Sequence, residues 1–298
     1  MVKLTFLLAV FLSMVAFQPR PLVAQENEQW RSWNQPVEPF RVMDNIYYVG
    51  ANEIAAFLIT SSEGHILIDG GFPETAAIIH ANVAKLGFQI EEVEILLNSH
   101  AHFDHAGGLA ELKRLSGAQL FISNGDADLI ENGGKGDFLL GDTGLFPPVS
   151  VDRRLVDGDV VSLGGVTLTA HLTAGHTRGC TTWTMTVEED DQTYEAVFVC
   201  SATVLPNVRL VDQPSYPGIA EDFARTFEVL RALPCDVFLA SHGSFFGLRD
   251  KIRTLGENPA VNPFIDPARY RAYVERGERR FHERLNEEQK VSGRGGEP

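Results

Sequence analysis

Cysteine is scarce in this chain, and so is positive charge. Three cysteines, Cys180, Cys200 and Cys235, occur among 298 residues, so at most one internal disulfide can form and one thiol is left over. Lysine and arginine number 25 against 40 acidic side chains, which gives a formal net charge of −15. A surface of that sign repels polyanions, so nucleic acids and anionic membranes are poor candidate partners.

Long apolar runs are lacking after the N-terminus. Residues 1–24 begin with a short, mildly basic stretch that contains Lys3, continue with an apolar run from Leu4 to Phe17 and end at the small residue Ala24. This layout predicts a cleaved secretory signal peptide and a periplasmic or secreted mature protein. The alternative is an uncleaved membrane anchor, which the short run and the two prolines after it disfavour. No later run is long enough to span a bilayer, so we expect no membrane contact after cleavage.

The remaining residues, 25–298, predict a single domain that acts as a monomer. We expect an irregular lead-in over 25–39, a core over about 40–266 and a charged amphipathic helix over about 267–290. Within the core, short apolar or alternating strand runs are followed by helices, and this succession occurs twice. Two mixed sheets packed face to face, with helices outside them, would bury the apolar faces. The predicted fold class is therefore α+β, arranged as a sandwich.

A cluster of potential metal ligands follows one buried strand run. The segment NSHAHFDHAGG places His100, His102, Asp104 and His105 between that run and a helix that opens at Gly107. On extended chain the first two imidazoles can reach one ion, and the bend into the helix lets Asp104 and His105 face a second spot nearby. Imidazole and carboxylate without cysteine suit a catalytic rather than a structural zinc site.

Two further histidines occupy matching positions elsewhere. His176 lies in TAGHTRG and His242 in LASHG, each at the end of a strand run and beside glycine. Alone, each reads as an ordinary loop residue, but together they are the best candidates to complete the site. The remaining four lie within predicted strands or helices and are interpreted as structural: His65, His80, His171 and His282.

The pattern H-x-H-x-D-H with later single histidines resembles the signature of the metallo-β-lactamase superfamily. The resemblance covers about residues 40–266 and is strongest for class B β-lactamases of the third subclass, in which AGHTRGCTTWT and NSHAHFDHAGG are typical. It implies a four-layered αββα sandwich with two zinc ions. It also implies that one zinc is bound by His100, His102 and His176, and the other by Asp104, His105 and His242.

One further position separates members of this family. Thioesterases, lactonases and RNA-processing members resemble one another in placing a metal-bridging Asp near the end of the penultimate core strand, whereas VFVCSATVLP places Ser201 there. A register error of one residue would instead make Cys200 a ligand. The resemblance thus implies a β-lactamase, with a related lactone or thioester hydrolase as the alternative. A non-enzymatic binding protein predicts missing ligands, and a nuclease is disfavoured by the acidic surface.

The resemblance also implies a mechanism. A zinc-bound hydroxide would attack the β-lactam amide of penicillins, cephalosporins and carbapenems, with Asp104 as the catalytic residue that orients it. Ser201 and Thr203 would bind the substrate carboxylate, and Asp69 would support the site from behind. The loop over 133–150, rich in glycine, proline and large apolar residues, would border the substrate groove; a packed surface loop is its alternative.

The cysteines have a geometric interpretation. Two strand runs flank EEDDQ, which centres a hairpin on residue 190, and Cys180 and Cys200 each lie ten residues from that centre. They would face each other across adjacent strands, as a disulfide or a buried contact pair. Cys235 would remain free.

Overall fold

The structure is a computed structural model that describes residues 22–258 and 260–294. The predicted signal peptide lies outside the described residues, except for its last three positions, which begin the first helix. The helices of the described part are α1 (Leu22–Trp33), α2 (Thr75–Lys85), α3 (Phe103–Ala106), α4 (Leu109–Ser116), α5 (Asn124–Glu131), α6 (Ile219–Ala232), α7 (Gly243–Phe246), α8 (Leu248–Glu257) and α9 (Pro267–Arg294), with a 3-10 turn at Ile90–Glu92.

The strands alternate with these helices in two blocks. The first block is β1 (Phe40–Met43), β2 (Ile46–Tyr48), β3 (Phe57–Ser61), β4 (Gly64–Ile68), β5 (Val93–Leu97), β6 (Gln119–Ser123) and β7 (Arg153–Leu155), and the second is β8 (Val160–Leu163), β9 (Val166–Leu172), β10 (Thr181–Glu189), β11 (Gln192–Val199) and β12 (Val237–Ala240). Among the described residues, no helix combines the length and the apolar character needed to cross a bilayer.

Each block of strands forms one mixed sheet. In the first sheet the strands lie in chain order from β1 to β7, antiparallel as far as β4 and parallel from β4 onwards. In the second sheet the order is β12-β11-β10-β9-β8, and the β11–β12 pair alone is parallel within it. Parallel neighbours end at the same edge, so β4, β5 and β6 deliver their following loops to one side of the molecule.

Alternating side chains of the first sheet enter two different apolar layers. Leu58, Leu67 and Leu96 pack with α2, α4 and α5 on the outer face. The intervening residues pack towards the second sheet, where Phe57 meets Phe198 with ring centroids 5.2 Å apart. The far face of the second sheet is covered by α6 and α9, which join through aromatic rings. The predicted αββα sandwich is confirmed.

Two segments differ from the sequence-based expectation. The lead-in expected to be irregular over 25–39 is wrong for its first half, because α1 extends to Trp33. Its polar composition gave no apolar stripe, and its two tryptophans are placed by contacts with distant residues. Strand β7 was not predicted because Arg153–Leu155 is short and charged; it pairs with β6 at the edge of the sheet.

The hairpin between β10 and β11 is also shifted from the predicted register. Glu189 pairs with Gln192, so the turn is centred between Asp190 and Asp191, both of which have positive φ. Cys180 and Cys200 lie just beyond the two strands and are joined as a disulfide with a Cα–Cα distance of 5.9 Å. The pairing was correctly predicted, although the centre of the hairpin was half a residue too early.

Candidate metal centre

The histidine cluster occupies the connection that leaves the end of β5. The chain stays extended to His102 (φ −76°, ψ 150°) and then turns into the four-residue helix α3. This turn re-aims Asp104 and His105 relative to the two preceding histidines. The close approach of backbone that permits it needs glycine, since a Cβ on Gly108 would lie 2.2 Å from the carbonyl oxygen of Gly70.

The second sheet brings its two histidines to the same edge. His176 lies in the loop between β9 and β10, and His242 follows β12 after Ser241, as the extended residue before α7. Backbone hydrogen bonds fix the two sheets together here: Thr181 N donates to Ser99 O at 2.8 Å, and Ala55 N donates to Ser241 O at 2.9 Å. The site is therefore assembled from both halves of the sandwich.

His100, His102 and His176 form a nearly equilateral group. Their ring centroids are 4.9 Å apart for the first two and 4.8 Å apart for each of the other pairs. One nitrogen from each ring lies within 4.8 Å of the others, and all three residues are buried. Such a set of three imidazoles fits one metal ion with a position left open.

A second group lies beside the first. Ligand atoms of Asp104, His105 and His100 lie within 4.8 Å of one another. His242 joins them, because its Nε2 is 3.1 Å from Nε2 of His105 and 3.6 Å from Oδ2 of Asp104. The six residues predicted from the sequence as ligands are thus brought together.

Each imidazole has one ring nitrogen that faces an oxygen of the protein. The pairs are His100 Nδ1 with Ser99 Oγ (3.0 Å), His102 Nε2 with Asp137 Oδ2 (3.8 Å), His105 Nδ1 with Asp69 Oδ2 (3.5 Å), His176 Nδ1 with Thr203 O (2.9 Å) and His242 Nδ1 with Glu53 Oε1 (3.6 Å). An oxygen on one nitrogen favours the ring proton there and leaves the other nitrogen able to bind a cation. Nδ1 is then the nitrogen left for a cation in His102, and Nε2 in the other four. In His105 and His242 this Nε2 also faces Oδ2 of Asp104, at 3.4 Å and 3.6 Å.

Burial keeps three of these imidazoles neutral. It lowers the pKa of His102 to about 3 and that of His176 to about 4, and it lowers the pKa of His100 well below its usual range, with the neighbouring imidazoles adding to the effect. Neutral imidazole is the form that binds metal.

The pKa values of Asp104 and His105 shift in the direction opposite to the effect of burial. Burial acts to raise the pKa of the Asp104 carboxyl, but the charge of the adjacent His105 and its hydrogen bond lower that pKa by more than burial raises it. The net pKa of Asp104 is below its usual range. Burial likewise acts to lower the pKa of His105, and the two carboxylates of Asp104 and Asp69 raise it instead. Asp104 is therefore ionised and ready to bind a cation.

Asp69 lies behind the cluster as the sequence predicted. Its Oδ1 accepts hydrogen bonds from Ser99 N at 2.6 Å and Asn98 Nδ2 at 2.8 Å, and its Oδ2 accepts one from Ser99 Oγ at 2.7 Å. Its φ of +68° is uncommon for a residue with a side chain. The carboxylate thus orients both the start of the histidine segment and His105.

Asp126, at the start of α5, was not predicted from the sequence. Its buried carboxylate accepts hydrogen bonds from Ala101 N at 2.9 Å, Thr177 Oγ1 at 2.7 Å and Gly179 N at 2.8 Å. It therefore ties the residue between His100 and His102 to the loop that follows His176. Burial raises the pKa of Asp126 to about 6.

The predicted substrate residues lie beside this group. Ser201 is buried, and its Oγ accepts a hydrogen bond from Thr203 N at 3.2 Å. Thr203 is partly exposed. The backbone between them is fixed by Ala202 N, which donates to the hydroxyl oxygen of Tyr273 on α9 at 3.0 Å. The adjacent Cys200 is held in the disulfide, so the alternative of a cysteine ligand at that position is wrong.

Aromatic residues of α1 contact the centre and were missed by the sequence reasoning. Trp33 lies edge-on to His242 with ring centroids 5.5 Å apart, and Trp30 lies edge-on to Phe103 at 4.8 Å. No spacing rule connects these tryptophans with the histidine motif, since more than 60 residues separate Trp30 from Phe103 in the chain.

The loop over 133–150 is partly packed down. Phe146 is buried in the outer apolar layer and Phe138 packs against Tyr216, with ring centroids 5.0 Å apart, whereas Leu145 is exposed. The loop approaches the centre at Gly144, since a Cβ there would lie 3.2 Å from the ring of Phe103.

Solved structures of high similarity are metallo-β-lactamases. The native FEZ-1 metallo-β-lactamase of Legionella gormanii is 41% identical, with 86% of this chain and 98% of that chain covered and a TM-score of 0.84. BJP-1, a subclass B3 metallo-β-lactamase of Bradyrhizobium japonicum, is also 41% identical, with 88% and 98% covered and a TM-score of 0.81.

Curated proteins with similar sequences are named hydroxyacylglutathione hydrolases rather than β-lactamases. Hydroxyacylglutathione hydrolases of Hyphomonas neptunium and Rhodopseudomonas palustris are 34% and 28% identical over 104 and 183 residues, which are 35% and 61% of this chain. The chain spans about a third of the first relative's length and about three fifths of the second's.

The family model described as the metallo-β-lactamase superfamily matches residues 49–242, a range that includes all six candidate ligands. The match and the structural neighbours together support a metal-dependent hydrolase. They also confirm the resemblance read from the histidine motif, and the chain belongs to the metallo-β-lactamase superfamily.

Proposed function

We propose that the protein is a zinc-dependent β-lactamase that binds two zinc ions and hydrolyses the amide bond of penicillins, cephalosporins and carbapenems. The observation that carries this proposal is the arrangement around Ser201. Six candidate ligands meet at one edge of the sandwich, and the segment that contains Ser201 reaches them through the carbonyl oxygen of Thr203, 2.9 Å from Nδ1 of His176. Serine therefore stands in the chain where thioesterases and lactonases of the family would have a bridging Asp.

The residues present fit zinc. Imidazole and carboxylate are typical ligands of catalytic zinc. The Nε2 of His100 is buried without a hydrogen-bond partner, and an unpaired buried polar atom costs about 1–3 kcal/mol. A cation at the centre would satisfy this nitrogen. When bound, zinc supplies a water acidic enough to attack an amide carbonyl near neutral pH.

The protein's own groups would bind and orient the reactants. Asp104 keeps its carboxylate ionised, so an oxygen not used for the cation can accept a hydrogen bond from the attacking water and fix its direction. Thr203 is partly exposed, and its carbonyl oxygen lies 2.9 Å from Nδ1 of His176, so we assign its hydroxyl as a donor to the carboxylate that β-lactam substrates carry. Ser201 is buried, and its Oγ fixes the backbone of this segment by accepting a hydrogen bond from Thr203 N. We assign its hydroxyl to the same substrate carboxylate, which contacts it when the substrate lies deeper in the site.

The alternative function is hydrolysis of a lactone or a thioester. The names of the curated relatives favour it, but those matches cover only part of each relative. Ser201 disfavours it for the reason given above. We propose further that the protein acts as a monomer in the periplasm or outside the cell, which N-terminal sequencing of exported protein and size-exclusion chromatography would test.

Hydrolysis of a penicillin, a cephalosporin and a carbapenem tests the main proposal. Zinc-loaded protein should turn over at least one of them, a chelator should abolish the turnover, and added zinc should restore it. A glutathione thioester and an acyl-homoserine lactone serve as substrates for the alternative. Thr203→Ala should raise KM for the β-lactam with little change in kcat, because it removes a contact with the unreacting carboxylate. Turnover of the thioester or lactone but of no β-lactam would overturn the proposal.

A further inference from the structure

Asp137 connects the candidate metal centre with the loop that precedes Phe146. Its side chain is only 3% exposed. Oδ1 accepts hydrogen bonds from the backbone of Leu139 at 2.7 Å and of Leu140 at 2.6 Å. The carbonyl oxygen of the same residue accepts one from Gly141 N at 2.9 Å. Asp137 therefore holds the turn over 137–141 in shape.

The other carboxylate oxygen faces a metal-binding candidate. Oδ2 of Asp137 and Nε2 of His102 lie 3.8 Å apart, and each is buried without a hydrogen-bond partner. Two unsatisfied polar atoms that face each other in the interior need an explanation, because each costs free energy unless it is paired. A small rotation of the His102 ring would pair them.

We propose that Asp137 is a positioning residue that couples the order of the 137–141 turn to metal binding by His102. The proposal rests on the metal centre of the proposed function. A carboxylate at Nε2 fixes the ring proton there, so Nδ1 keeps its lone pair for a cation. A cation bound to His102 fixes the ring that faces Oδ2 of Asp137. Asp137 is then held more firmly, so the 137–141 turn, which its Oδ1 holds, becomes more ordered. Because coupling of this kind is reciprocal, the ordered turn strengthens metal binding by the factor with which the metal favours the ordered turn, and loss of Asp137 removes this gain.

Asp137→Asn tests the coupling with almost no change of shape. The amide oxygen can still accept from Leu139 and Leu140, but the amide nitrogen then faces Nε2 of His102 as a donor. The ring must place its proton on Nδ1 to accept that bond, which blocks the nitrogen needed for the metal. Asp142→Asn is the matched control, since Asp142 lies exposed in the same loop and accepts a single bond from Gly136 N.

The first measurement is the zinc dissociation constant by competition with a chromophoric chelator. Asp137→Asn should bind zinc 10- to 100-fold more weakly than the wild type, as removal of such partners usually does, and Asp142→Asn should match the wild type within about twofold. The second measurement is cleavage by trypsin after the exposed Lys135, which is the one lysine or arginine between Arg114 and Arg153. Zinc should slow this cleavage in the wild type and in Asp142→Asn, but not in Asp137→Asn.

Hydrogen exchange of the wild type supplies a test that needs no variant. The amides of Leu139 and Leu140 donate to Asp137, so zinc should slow their exchange, by tenfold or more if the coupling has the size given above. Unchanged exchange in zinc-loaded protein, or equal zinc binding by Asp137→Asn and the wild type, would overturn the role of Asp137. Failure of the wild type to bind zinc at all would overturn the metal centre itself. Zinc binding without β-lactam turnover would overturn only the proposed substrate.

Discussion

Removal of the Cys180–Cys200 disulfide should destabilise the protein by about 3 kcal/mol. The two cysteines are 20 residues apart in the chain. The loss of loop-closure entropy in the unfolded chain is about 11 cal/mol/K for a loop of that size, which gives about 3 kcal/mol at 25 °C. Both cysteines are fully buried, so the bond is protected from solvent reductants until the protein opens. Cys180 also follows the His176 loop and Cys200 precedes Ser201, so the bond joins two parts of the site.

The assay compares urea unfolding of oxidised wild type with that of the Cys180→Ala/Cys200→Ala double variant. Alanine is the replacement of choice because a serine hydroxyl would be buried without a partner. The midpoint should fall and the slope should rise, because the unfolded chain without the cross-link is less compact. Cys235→Ala serves as the control for removal of a half-buried thiol. Denatured, unreduced wild type should titrate one thiol, and reduced protein three. A destabilisation below about 1 kcal/mol, or three thiols without reduction, would refute the loop-closure reasoning.

Three further predictions concern the centre. His176→Ala should lose at least about 100-fold in β-lactam hydrolysis and bind less zinc by elemental analysis, whereas the exposed His80→Ala should keep both. Asp69→Asn, which tolerates the positive φ but removes the charge behind His105, should weaken zinc binding about 10- to 100-fold in chelator competition; wild-type affinity would contradict this role. The third concerns the stability of the protein at low pH. Below about pH 6.5 both histidines bind protons in the unfolded chain, whereas in the folded protein His102 (pKa about 3) and His176 (pKa about 4) stay neutral. The unfolding free energy of metal-free protein should therefore fall from about pH 6.5 towards pH 4, by about 1.4 kcal/mol per pH unit for each of these groups. His105, whose pKa is raised, is protonated in both the folded and the unfolded state over this range and adds little slope. Asp126, whose pKa burial raises to about 6, takes up a proton in the folded state and opposes the trend in part. A flat urea midpoint over this range would contradict the prediction.

The candidate metal ligands could be predicted from the sequence, but the side chains that orient them could not. His176 and His242 could be found because strand ends with flanking glycine mark them, although 66 residues separate them in the chain. Asp126, Asp137 and Glu53 follow no ligand spacing. They act through contacts that exist only when α5, the loop after it and the segment after β2 are folded onto the centre, so no local pattern could reveal them.

The fold shows the same division between local and long-range information. The strand runs and most helices were predicted from the local sequence, since the apolar run of β5 and the apolar stripe of α6 are local properties. Helix α1 was missed because its tryptophans are fixed by Phe103 and His242, which lie 73 and 209 residues further along the chain than Trp30 and Trp33. The β10–β11 register was missed by half a residue because the two aspartates of the turn both adopt positive φ.

The close approach of buried polar atoms at the metal centre favours a bound cation. Four imidazoles and one carboxylate are buried at one edge of the sandwich beside the half-buried His242, and two imidazoles approach to 3.1 Å through their Nε2 atoms. Only one of those two nitrogens can carry a hydrogen, so at most one hydrogen bond joins them while other buried nitrogens stay unpaired. A fold selected for stability alone would replace such a group by apolar side chains. The oxygen behind each ring, by contrast, is in place. A metal ion bound between these side chains would satisfy the buried Nε2 of His100 and separate the charges of the two close imidazoles, which links the stability of the site to its occupancy.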